Sequence, residues 1–331
     1  MARIGVAGAG AWGTALAIAA ARAGHSVSLW GRDQAAMAAM RQSRVNARRL
    51  PDMELPDAVR PTAVLSDLAA CGVLLLATPA QTVRQVVGEI PEAPRLLLCA
   101  KGLERVSGLR LSEVVATTRP GAEVAVLSGP SYATELARGL PTAVTLAAPR
   151  LDTAQDLAAM LAGPAFRLYP TDDVVGVEIG GALKNVIAIA AGAVIGSGLG
   201  ENARAAVVTR GLAELARLGA ALGARRETLM GLSGLGDLVL TATSLTSRNT
   251  RFGHELAQGA DVAELMGTGH ALSEGAWTAE SAVDLGRRHG VELPISAAVA
   301  DVLAGRSTIA AAVQSLLALW LFQRFDLSVT A

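Results

Sequence analysis

The sequence predicts an α/β protein in which an N-terminal doubly wound sheet, residues 1–173, is followed by an all-α domain, residues 174–331. Short apolar strands alternate with helical segments as far as Pro170, and only helical patterns follow this residue. Strands that alternate with helices build sheets that are covered by helices. The chain of 331 residues also exceeds a typical single domain of roughly 100–200 residues, so two domains are expected.

The balance of charges argues against strongly charged partners. The 29 basic and 29 acidic residues cancel and form no long block of one sign, so we expect neither nucleic acid nor an anionic membrane as a partner. Cys71 and Cys99 stand in or beside apolar runs without the spacing of metal ligands, which predicts buried free thiols and no metal site. Free thiols are typical of a reducing compartment, and we expect a cytoplasmic protein.

The two ends of the sequence show no sign of a membrane segment. The chain begins Met-Ala-Arg and enters a strand at once, without the charged and apolar regions of a leader peptide. The most apolar late segment, Ile309 to Phe322, is interrupted by Gln314 and Ser315 and is shorter than the roughly 20 residues that span a bilayer. We therefore expect no membrane insertion and interpret this segment as a buried terminal helix.

The first strand and the turn after it predict a dinucleotide site. Residues 3–7 form a short apolar strand that runs into a G-x-G-x-x-G pattern at Gly8, Gly10 and Gly13, and a helical run follows. In this setting Gly8 makes the tight turn, Gly10 lets the backbone approach a pyrophosphate, and Gly13 lets helix and strand touch. The start of the helix offers unpaired N–H groups to the anion. A plain structural turn is the alternative, but this order of elements is typical of a Rossmann-type domain.

The end of the second strand gives a divided signal about the cofactor. This strand, Ser26 to Trp30, is followed by Gly31, Arg32 and Asp33. Arg32 can bind the 2′-phosphate of NADP(H), whereas Asp33 can bind the ribose hydroxyls of NAD(H) or cap the helix that follows. We predict NADP(H) as the preferred cofactor and NAD(H) as the alternative.

Further strand patterns complete a sheet of seven or eight strands. They lie at residues 73–77, 96–100, 124–128, 142–146 and 166–169, whereas the stretch 44–61, rich in Pro, Arg and Asp, is interpreted as an irregular excursion. Ligands of doubly wound sheets bind beyond the carboxyl ends of the strands. Lys101 follows one of these ends and is expected to meet the substrate, with an exposed loop lysine as the alternative. Ser131 follows another end and is interpreted as an N-cap or as a ligand of an anion or a hydroxyl group.

Lys184 is the strongest candidate for acid–base chemistry. It stands in a long apolar helical pattern, and with Lys101 it is one of two lysines among the 29 basic residues. Arginine cannot lose its proton in a protein, whereas a lysine desolvated among apolar groups can have a pKa near neutrality. We interpret Lys184 as a proton-transfer group. The alternative is a lysine that extends its stem along the helix and keeps its head in water.

Two polar stretches in the second half supply candidate partners for this lysine and for a substrate. Asp237 follows a glycine-rich loop, and its carboxylate can orient the Lys184 ammonium or bind substrate hydroxyls. The tripeptide Ser247-Arg248-Asn249 combines a hydroxyl, a guanidinium fork and an amide, which suit a phosphate group. The alternative for this tripeptide is a cluster of N-capping residues that opens a helix at Phe252.

Together these motifs resemble the bacterial NAD(P)-dependent glycerol-3-phosphate dehydrogenase family over nearly the whole chain. The resemblance rests on the stretches 8–17, 100–104, 128–133, 180–188, 231–241 and 247–249. It implies a Rossmann-type domain followed by a helical domain for substrate binding and dimerisation, and it implies a homodimer. The implied reaction is the reduction of a small phosphorylated substrate, dihydroxyacetone phosphate, to sn-glycerol 3-phosphate for phospholipid synthesis. Lys184 matches the family's proton acceptor.

The same matching implies two sets of contacts. Substrate contacts fall on Lys101, Gly129, Ser131, Lys184, Asp237, Ser247, Arg248 and Asn249. Cofactor contacts fall on Ala11, Trp12, Arg32, Lys101, Ala133, Arg248, Leu272 and Glu274. The three glycines of the first turn, Gly8, Gly10 and Gly13, complete the predicted cofactor site.

Two other functions fit many of the same residues. A related hydroxyacid dehydrogenase of the same two-domain build would bind a carboxylate where this family binds phosphate. A protein that senses NADP(H) without catalysis would need no titratable lysine. Turnover of a phosphorylated ketone excludes the non-catalytic sensor, and the preference for phosphate over carboxylate separates the two dehydrogenases.

Overall fold

The structure is a computed structural model that describes residues 1–90, 95–267 and 273–322, with the side chains of the last helix described up to residue 316. The chain divides into two compact units. The first unit contains Met1–Ala100 and Leu111–Val174, and the second contains Lys101–Arg110 and the chain from Val175 onward. The segment Lys101–Arg110 therefore belongs to the second unit, although in the chain it directly follows a strand of the first.

Most strands of the first unit belong to a single sheet. The strands are β1 Arg3–Ala7, β2 Ser26–Trp30, β3 Val45–Asn46, β4 Leu50–Glu54, β5 Val59–Thr62, β6 Val73–Leu76, β7 Arg95–Leu98, β8 Glu123–Ser128, β9 Thr142–Ala147 and β10 Phe166–Thr171. Strands β3 and β4 pair as an antiparallel hairpin. The others form an eight-stranded sheet in the order β10-β9-β8-β7-β6-β1-β2-β5.

The strand order confirms the predicted doubly wound α/β class. From β1 the chain moves outward to β2 and β5 on one side, and it then returns to build β6, β7 and β8 on the other side. Ligands of such sheets bind where the strand order reverses, which here is beside β1. Neighbouring strands are parallel throughout, apart from the antiparallel pair β8 and β9.

The prediction of an irregular excursion at residues 44–61 is wrong. Strand β5 begins inside this stretch, at Val59, and pairs in parallel with β2, which gives the sheet its eighth strand. Pro61 conceals the strand in the sequence, because proline lacks the N–H that a central strand must donate. Since β5 is an edge strand, a proline is compatible with its position.

Six helices described in the first unit pack around this sheet. They are α1 Ala11–Arg22, α2 Gln34–Ser43, α3 Val83–Glu89, α4 Leu111–Thr118, α5 Ala133–Arg138 and α6 Leu151–Leu161. All four residues of β6 are buried, which explains why this strand is a continuous apolar run. A core cluster joins Ile4 of β1 and Leu75 of β6 to Leu16 of α1.

The chain from Val174 onward is helical in the part that the structure describes, as predicted. Its elements are α7 Val174–Gly196, α8 Gly200–Ala221, α9 Arg226–Leu229, a π-helical turn Leu232–Gly236, α10 Asp237–Ala242, α11 Arg248–Ala257, α12 Val262–Met266, α13 Glu274–Arg288, α14 Pro294–Leu303 and α15 Ile309–Phe322. The terminal helix α15 was predicted to be buried, but its residues 309–316 are exposed or half-buried. The prediction of burial is therefore wrong over this range, because residues 309–316 pack through one side only, with Ile309 and Leu316 on the core.

Helix α7 forms the centre of the second unit. By length and composition it could cross a bilayer, with a mean hydropathy of 1.7, but 83% of its apolar window is buried inside the protein. A helix that is buried on all sides has no polar face, which explains the unbroken apolar pattern around Lys184. Its length and hydropathy are therefore those of a core helix.

Helices α7 and α11 cross with their backbones in direct contact. A Cβ added to Gly192 of α7 would lie 1.9 Å from the carbonyl oxygen of Thr250, and one added to Gly253 of α11 would lie 1.9 Å from that of Ile189. Such distances exclude any side chain at either position. The crossing therefore fixes the start of α11 against the helix that carries Lys184.

Candidate functional site

Lys184 lies in the middle of α7, where its ammonium group is enclosed by polar atoms. The residue is 7% exposed, and nearly all of the helix around it is buried. Its Nζ donates to Thr241 Oγ1 at 2.7 Å and lies 3.0 Å from Asp237 Oδ1. The alternative of a lysine with its head in water is therefore wrong.

Asp237 contacts both lysines of the chain. Its Oδ2 accepts a hydrogen bond from Lys101 Nζ at 2.6 Å, and its Oδ1 faces Lys184. The Asp237 side chain is 2% exposed. Two cations thus share one buried carboxylate, so the cluster carries a net positive charge when Lys184 is protonated. A buried cluster of this charge favours an anionic ligand.

The glycine-rich stretch before Asp237 is a helical turn and not the loop that the sequence suggested. Residues Leu232–Gly236 form a π-helical turn that runs directly into α10. A Cβ on Gly234 would lie 1.9 Å from the carbonyl oxygen of Leu229, so the turn folds tightly onto the preceding backbone. Single π-helical turns are rare and are frequent at functional sites. Here the turn sets the position of Asp237 at the start of α10.

Burial and charge together shift the pKa values of this cluster. Burial lowers the pKa of Lys184 to about 8; the Asp237 carboxylate opposes this effect, and the positive charges of Lys101 and Arg248 add to it. Burial alone would raise the pKa of Asp237, but Lys101 and Lys184 outweigh it and hold that pKa below its usual range. At neutral pH the site therefore holds a carboxylate and an ammonium that releases its proton slightly above neutrality.

Thr241 and Asn185 belong to the site but were missed by the sequence analysis. Thr241 Oγ1 accepts from Lys184 and donates to Asp237 Oδ1 at 3.3 Å. The available signal was its spacing, since Asp237 and Thr241 are four residues apart on one helix and therefore share a face. Asn185 Oδ1 accepts from Asn249 Nδ2 at 2.8 Å. Nothing in the sequence marks Asn185, because consecutive helical residues point in different directions.

The tripeptide Ser247-Arg248-Asn249 opens helix α11. Ser247 is the N-cap, and its Oγ accepts from Thr250 N at 3.3 Å. The capping alternative is thus right about the cap and wrong about the helix start, which is Arg248 and not Phe252. The Arg248 guanidinium lies close enough to Lys184 for its charge to lower the pKa of that lysine.

Asn249 is buried and joins three segments of the second unit. Its Nδ2 donates to Asn185 on α7, and its Oδ1 accepts from Ser273 Oγ at 2.7 Å and from Gly275 N at 3.0 Å. The amide oxygen is therefore used within the protein. Of the side-chain atoms of Asn249, a substrate can therefore use only the Nδ2 group.

The dinucleotide turn of the first unit has the geometry that a cofactor requires. Gly8 has a φ of +117°, a conformation that favours glycine, and a Cβ on Gly13 would lie 1.9 Å from the carbonyl oxygen of Gly8. Helix α1 begins after Gly10, and no side chain of the described residues caps it. A Cβ on Gly10 would meet nothing within 4 Å, so this side of the turn is open. The first N–H groups of α1, which include those of Ala11 and Trp12, fit a pyrophosphate.

The end of β2 places Arg32 and Asp33 at the start of α2. Asp33 is the N-cap of α2, and its Oδ1 accepts from Ala36 N at 3.0 Å. The capping alternative for Asp33 is therefore confirmed. Arg32 is exposed beside this cap and remains the charged candidate for a cofactor phosphate.

The turn after β8 carries three of the predicted contact residues, Gly129, Ser131 and Ala133. Gly129 has a φ of +148°, and Ser131 Oγ donates to its carbonyl oxygen at 2.9 Å. The N-cap of α5 is Tyr132, and Ala133 is the first residue of that helix. The prediction that Ser131 is an N-cap is therefore wrong, because its hydroxyl turns back to Gly129 and away from the helix.

The remaining predictions concern α13, metals and thiols. Glu274 is the first residue of α13, and Leu272 lies outside the described residues. Among the described residues there is no group of three or more His, Cys, Asp or Glu that could hold a metal ion. Cys71 and Cys99 are buried free cysteines.

Family models match both halves of the chain. The NAD-dependent glycerol-3-phosphate dehydrogenase N-terminus matches residues 3–154, and the C-terminus of the same family matches residues 173–314. A Methylobacterium radiotolerans protein named glycerol-3-phosphate dehydrogenase (NAD(P)+) is 54% identical over 320 residues, which cover 95% of this chain and 96% of the relative. An Azorhizobium caulinodans protein of the same name is 52% identical over 320 residues and covers 96% of both chains.

A solved structure agrees with these relatives. The crystal structure of glycerol-3-phosphate dehydrogenase from Coxiella burnetii matches with a TM-score of 0.91 and 40% identity, covering 96% of this chain and 98% of the other. The likeness thus extends over the sheet of the first unit and the helices of the second. The chain belongs to the NAD-dependent glycerol-3-phosphate dehydrogenase family.

Proposed function

We propose that this protein catalyses the reversible reduction of dihydroxyacetone phosphate to sn-glycerol 3-phosphate with NADPH or NADH. The observation that carries the proposal is the buried Lys184 ammonium, which has a pKa of about 8 and contacts Asp237 and Thr241. The activity named for the relatives supports the same substrate.

The direct test is to follow the oxidation of NADPH and NADH by the purified protein with dihydroxyacetone phosphate. Turnover with this ketone, and none with a 2-oxo acid, is the expected result. Cofactor binding without turnover would identify a sensor, and preference for the 2-oxo acid would identify a hydroxyacid dehydrogenase.

The chemistry of ketone reduction assigns a role to each charged group of the cluster. The carbonyl carbon needs a hydride, which the reduced nicotinamide supplies when it is bound, and the oxygen needs a proton. Lys184 Nζ donates this proton to the oxygen and takes it back in the reverse direction. Asp237 and Thr241 hold the ammonium in place. Lys101 adds a second positive charge, which stabilises negative charge on the oxygen as the carbonyl becomes an alcohol.

The family resemblance supports a set of ligand contacts for this proposal. In the first unit, residues 8–13 bind the pyrophosphate and Arg32 binds the 2′-phosphate. Ala133 is a further cofactor contact in this unit. In the second, Lys101, Arg248, Leu272 and Glu274 complete the cofactor contacts. Ser247, Arg248 and the Nδ2 of Asn249 bind the substrate phosphate, since a hydroxyl, a guanidinium and an amide suit that anion. Gly129 and Ser131 are further substrate contacts.

Replacement of Arg248 by alanine tests the phosphate site. We expect kcat/KM to fall far more for dihydroxyacetone phosphate than for unphosphorylated dihydroxyacetone, because binding energy from the remote phosphate positions the ketone for reaction. Arg248→Lys is expected to restore only part of the loss, since an ammonium lacks the planar fork of a guanidinium. Steady-state kinetics with both substrates measure the ratio.

A matched control for Arg248 lies on the same helix. Arg251 is exposed, and its Nε donates to the carbonyl oxygen of Leu245 at 3.1 Å. Arg251→Ala is expected to leave the ratio of the two substrates unchanged. Equal losses for both substrates in Arg248→Ala would mean that Arg248 serves the cofactor or the fold.

Replacement of Arg32 by alanine tests the preference for NADP(H) over NAD(H). We expect Arg32→Ala to weaken NADPH binding by roughly 1.5–3 kcal/mol, the range for a hydrogen bond to a charged group, and to affect NADH little. Fluorescence titration with each cofactor measures the difference, and the exposed Arg60 on β5 provides the matched alanine control. Equal weakening of both cofactors would contradict a contact with the 2′-phosphate.

We further propose a cytoplasmic homodimer that supplies glycerol phosphate for phospholipid synthesis. The family resemblance supports the dimer, with the second unit as its interface, and the free thiols of Cys71 and Cys99 support a reducing compartment. Light scattering of the purified protein tests the dimer, and cell fractionation tests the compartment. Glycerol dependence of a strain that lacks the protein tests the role in phospholipid synthesis.

A further inference from the structure

The hairpin formed by β3 and β4 reaches the dinucleotide turn through Asn46. This residue is 4% exposed, and its Nδ2 donates to the carbonyl oxygen of Ala9 at 3.1 Å and to Thr14 Oγ1 at 2.8 Å. One bond goes to the turn between Gly8 and Gly10, and the other goes to the first part of α1. Both hydrogens of the amide group are thus used on the two elements that present N–H groups to a dinucleotide.

The bond to Ala9 fixes the orientation of one peptide group of the turn. The peptide unit is planar, and the C=O of Ala9 and the N–H of Gly10 point in opposite directions within it. Holding the Ala9 oxygen toward the hairpin therefore aims the Gly10 N–H away from the hairpin. The bond to Thr14 anchors α1 one turn further on, where Thr14 N donates to the carbonyl oxygen of Gly10 at 2.9 Å.

The hairpin that carries Asn46 is itself held firmly. Arg44, which has a φ of +58°, turns the chain from α2 into the hairpin. Its guanidinium donates to the carbonyl oxygens of Leu55 at 3.2 Å, Pro56 at 2.6 Å and Val59 at 3.1 Å. Leu50 of β4 is 1% exposed and belongs to the core of the unit. Asn46 therefore extends from a support that is tied to the sheet.

We infer that Asn46 is a positioning residue for the dinucleotide, acting through Ala9 and Thr14 without contacting the cofactor itself. It holds the turn in the shape that binds a pyrophosphate. The inference rests on the proposed function, because it assumes that NAD(P)H binds at this turn.

Asn46→Ala removes both donors and is expected to raise the Kd for NADPH about 10-fold, as two modest hydrogen bonds predict. Titration of NADPH fluorescence without substrate measures this Kd. In steady-state kinetics the KM for NADPH rises, while kcat and the KM for dihydroxyacetone phosphate change less than about twofold. A merely structural role would lower the active fraction, and hence kcat, without moving the KM for NADPH.

Two further variants sharpen the test. Asn46→Asp places an acceptor against the Ala9 oxygen and a negative charge near the pyrophosphate site, so it is expected to weaken NADPH binding more than Asn46→Ala. Arg48→Ala changes an exposed residue of the same hairpin and is expected to leave the Kd unchanged.

The outcomes separate this inference from the proposed function. A wild-type protein that binds neither NADPH nor NADH overturns the proposed function. A wild-type protein that binds NADPH, with the same Kd in Asn46→Ala, overturns only the role of Asn46. If Asn46→Ala does not fold, Thr14→Val tests the inference instead. Valine keeps the shape of the threonine side chain but removes the hydroxyl that accepts from Asn46 Nδ2. We expect it to raise the Kd about threefold, and an unchanged Kd overturns the inference.

Discussion

Replacement of Lys184 by arginine is expected to lower kcat for the reduction of dihydroxyacetone phosphate by about 100-fold or more, the usual scale of acid–base catalysis. The guanidinium keeps a positive charge beside Asp237 but cannot release a proton near neutral pH. NADPH binding is expected to survive. Steady-state kinetics at saturating NADPH and a fluorescence titration measure the two effects.

The other lysine of the cluster provides the matched control. Lys101→Arg makes the same chemical change at the second cation bound to Asp237. Because the role proposed for Lys101 needs only its charge, we expect a clearly smaller loss of kcat than in Lys184→Arg. Near-normal turnover of Lys184→Arg would show that the proton comes from another group.

The pH dependence of the reaction follows from the same pKa. With a pKa of about 8, Lys184 carries its proton below this pH and loses it above. The kcat/KM for reduction therefore falls as the pH rises through about 8, whereas that for oxidation of glycerol 3-phosphate rises, because the neutral amine accepts the proton. Lys101→Gln removes a charge that lowers the Lys184 pKa, so both transitions are expected to move to higher pH. Transitions that stay in place would contradict the assignment.

Replacement of Asp237 by asparagine is expected to have the second large effect. Asparagine keeps the shape but removes the carboxylate that faces the buried Lys184 and the half-buried Lys101. The loss of the carboxylate lowers the pKa of Lys184 further, so at pH 7.5 the lysine becomes largely neutral. We expect kcat/KM for reduction to fall by about 100-fold or more at this pH and to recover in part at lower pH. The pH profile of Asp237→Asn against wild type measures both changes.

Asp237→Asn is also expected to lower the free energy of unfolding by about 3 kcal/mol, the scale for breaking a buried ion pair. A matched control is Asp284→Asn, since Asp284 pairs with Arg287 at 3.0 Å on the surface, with side chains 55% and 76% exposed. There we expect a loss below about 1 kcal/mol. Urea unfolding of both variants measures the contrast. Similar losses in the two variants would mean that the Asp237 carboxylate contributes no more to the free energy of unfolding than a carboxylate in a surface ion pair.

The sequence predicted those parts of the fold that depend on local periodicity. The buried strands and the change to helices after residue 171 follow from patterns within a few residues. Strand β5 could not be predicted in this way, because Pro61 is compatible with a strand only at an edge, and the edge is a property of the whole sheet. The π-helical turn before Asp237 resembled a loop in the sequence, because the glycine that lets it fold tightly onto the backbone of Leu229, Gly234, is also typical of loops.

The candidate site was predicted where chemistry alone singles out a residue. Lys184 stands out because a chain so rich in arginine retains a lysine within an apolar helix. Thr241 and Asn185 do not stand out in the sequence, because their roles come from hydrogen bonds to residues that only folding brings close. These partners are Lys184 and Asp237 for Thr241, and Asn249 for Asn185. Ser131 was interpreted as an N-cap, but its hydroxyl donates to the carbonyl oxygen of Gly129. Its partner is chosen by the turn at Gly129, which no pattern in the sequence reveals.

The segment Lys101–Arg110 limits how the gene of this protein can be divided or recombined. It belongs to the second unit, yet it lies within residues 3–154, the part matched by the N-terminal family model. Leu103 of this segment is fully buried in the same core cluster as Leu183. A fragment that begins at residue 173 would therefore lack both a piece of its own core and one of the two cations on Asp237. Exchange of halves between relatives preserves the site only when this short segment and the helices around Asp237 are inherited together.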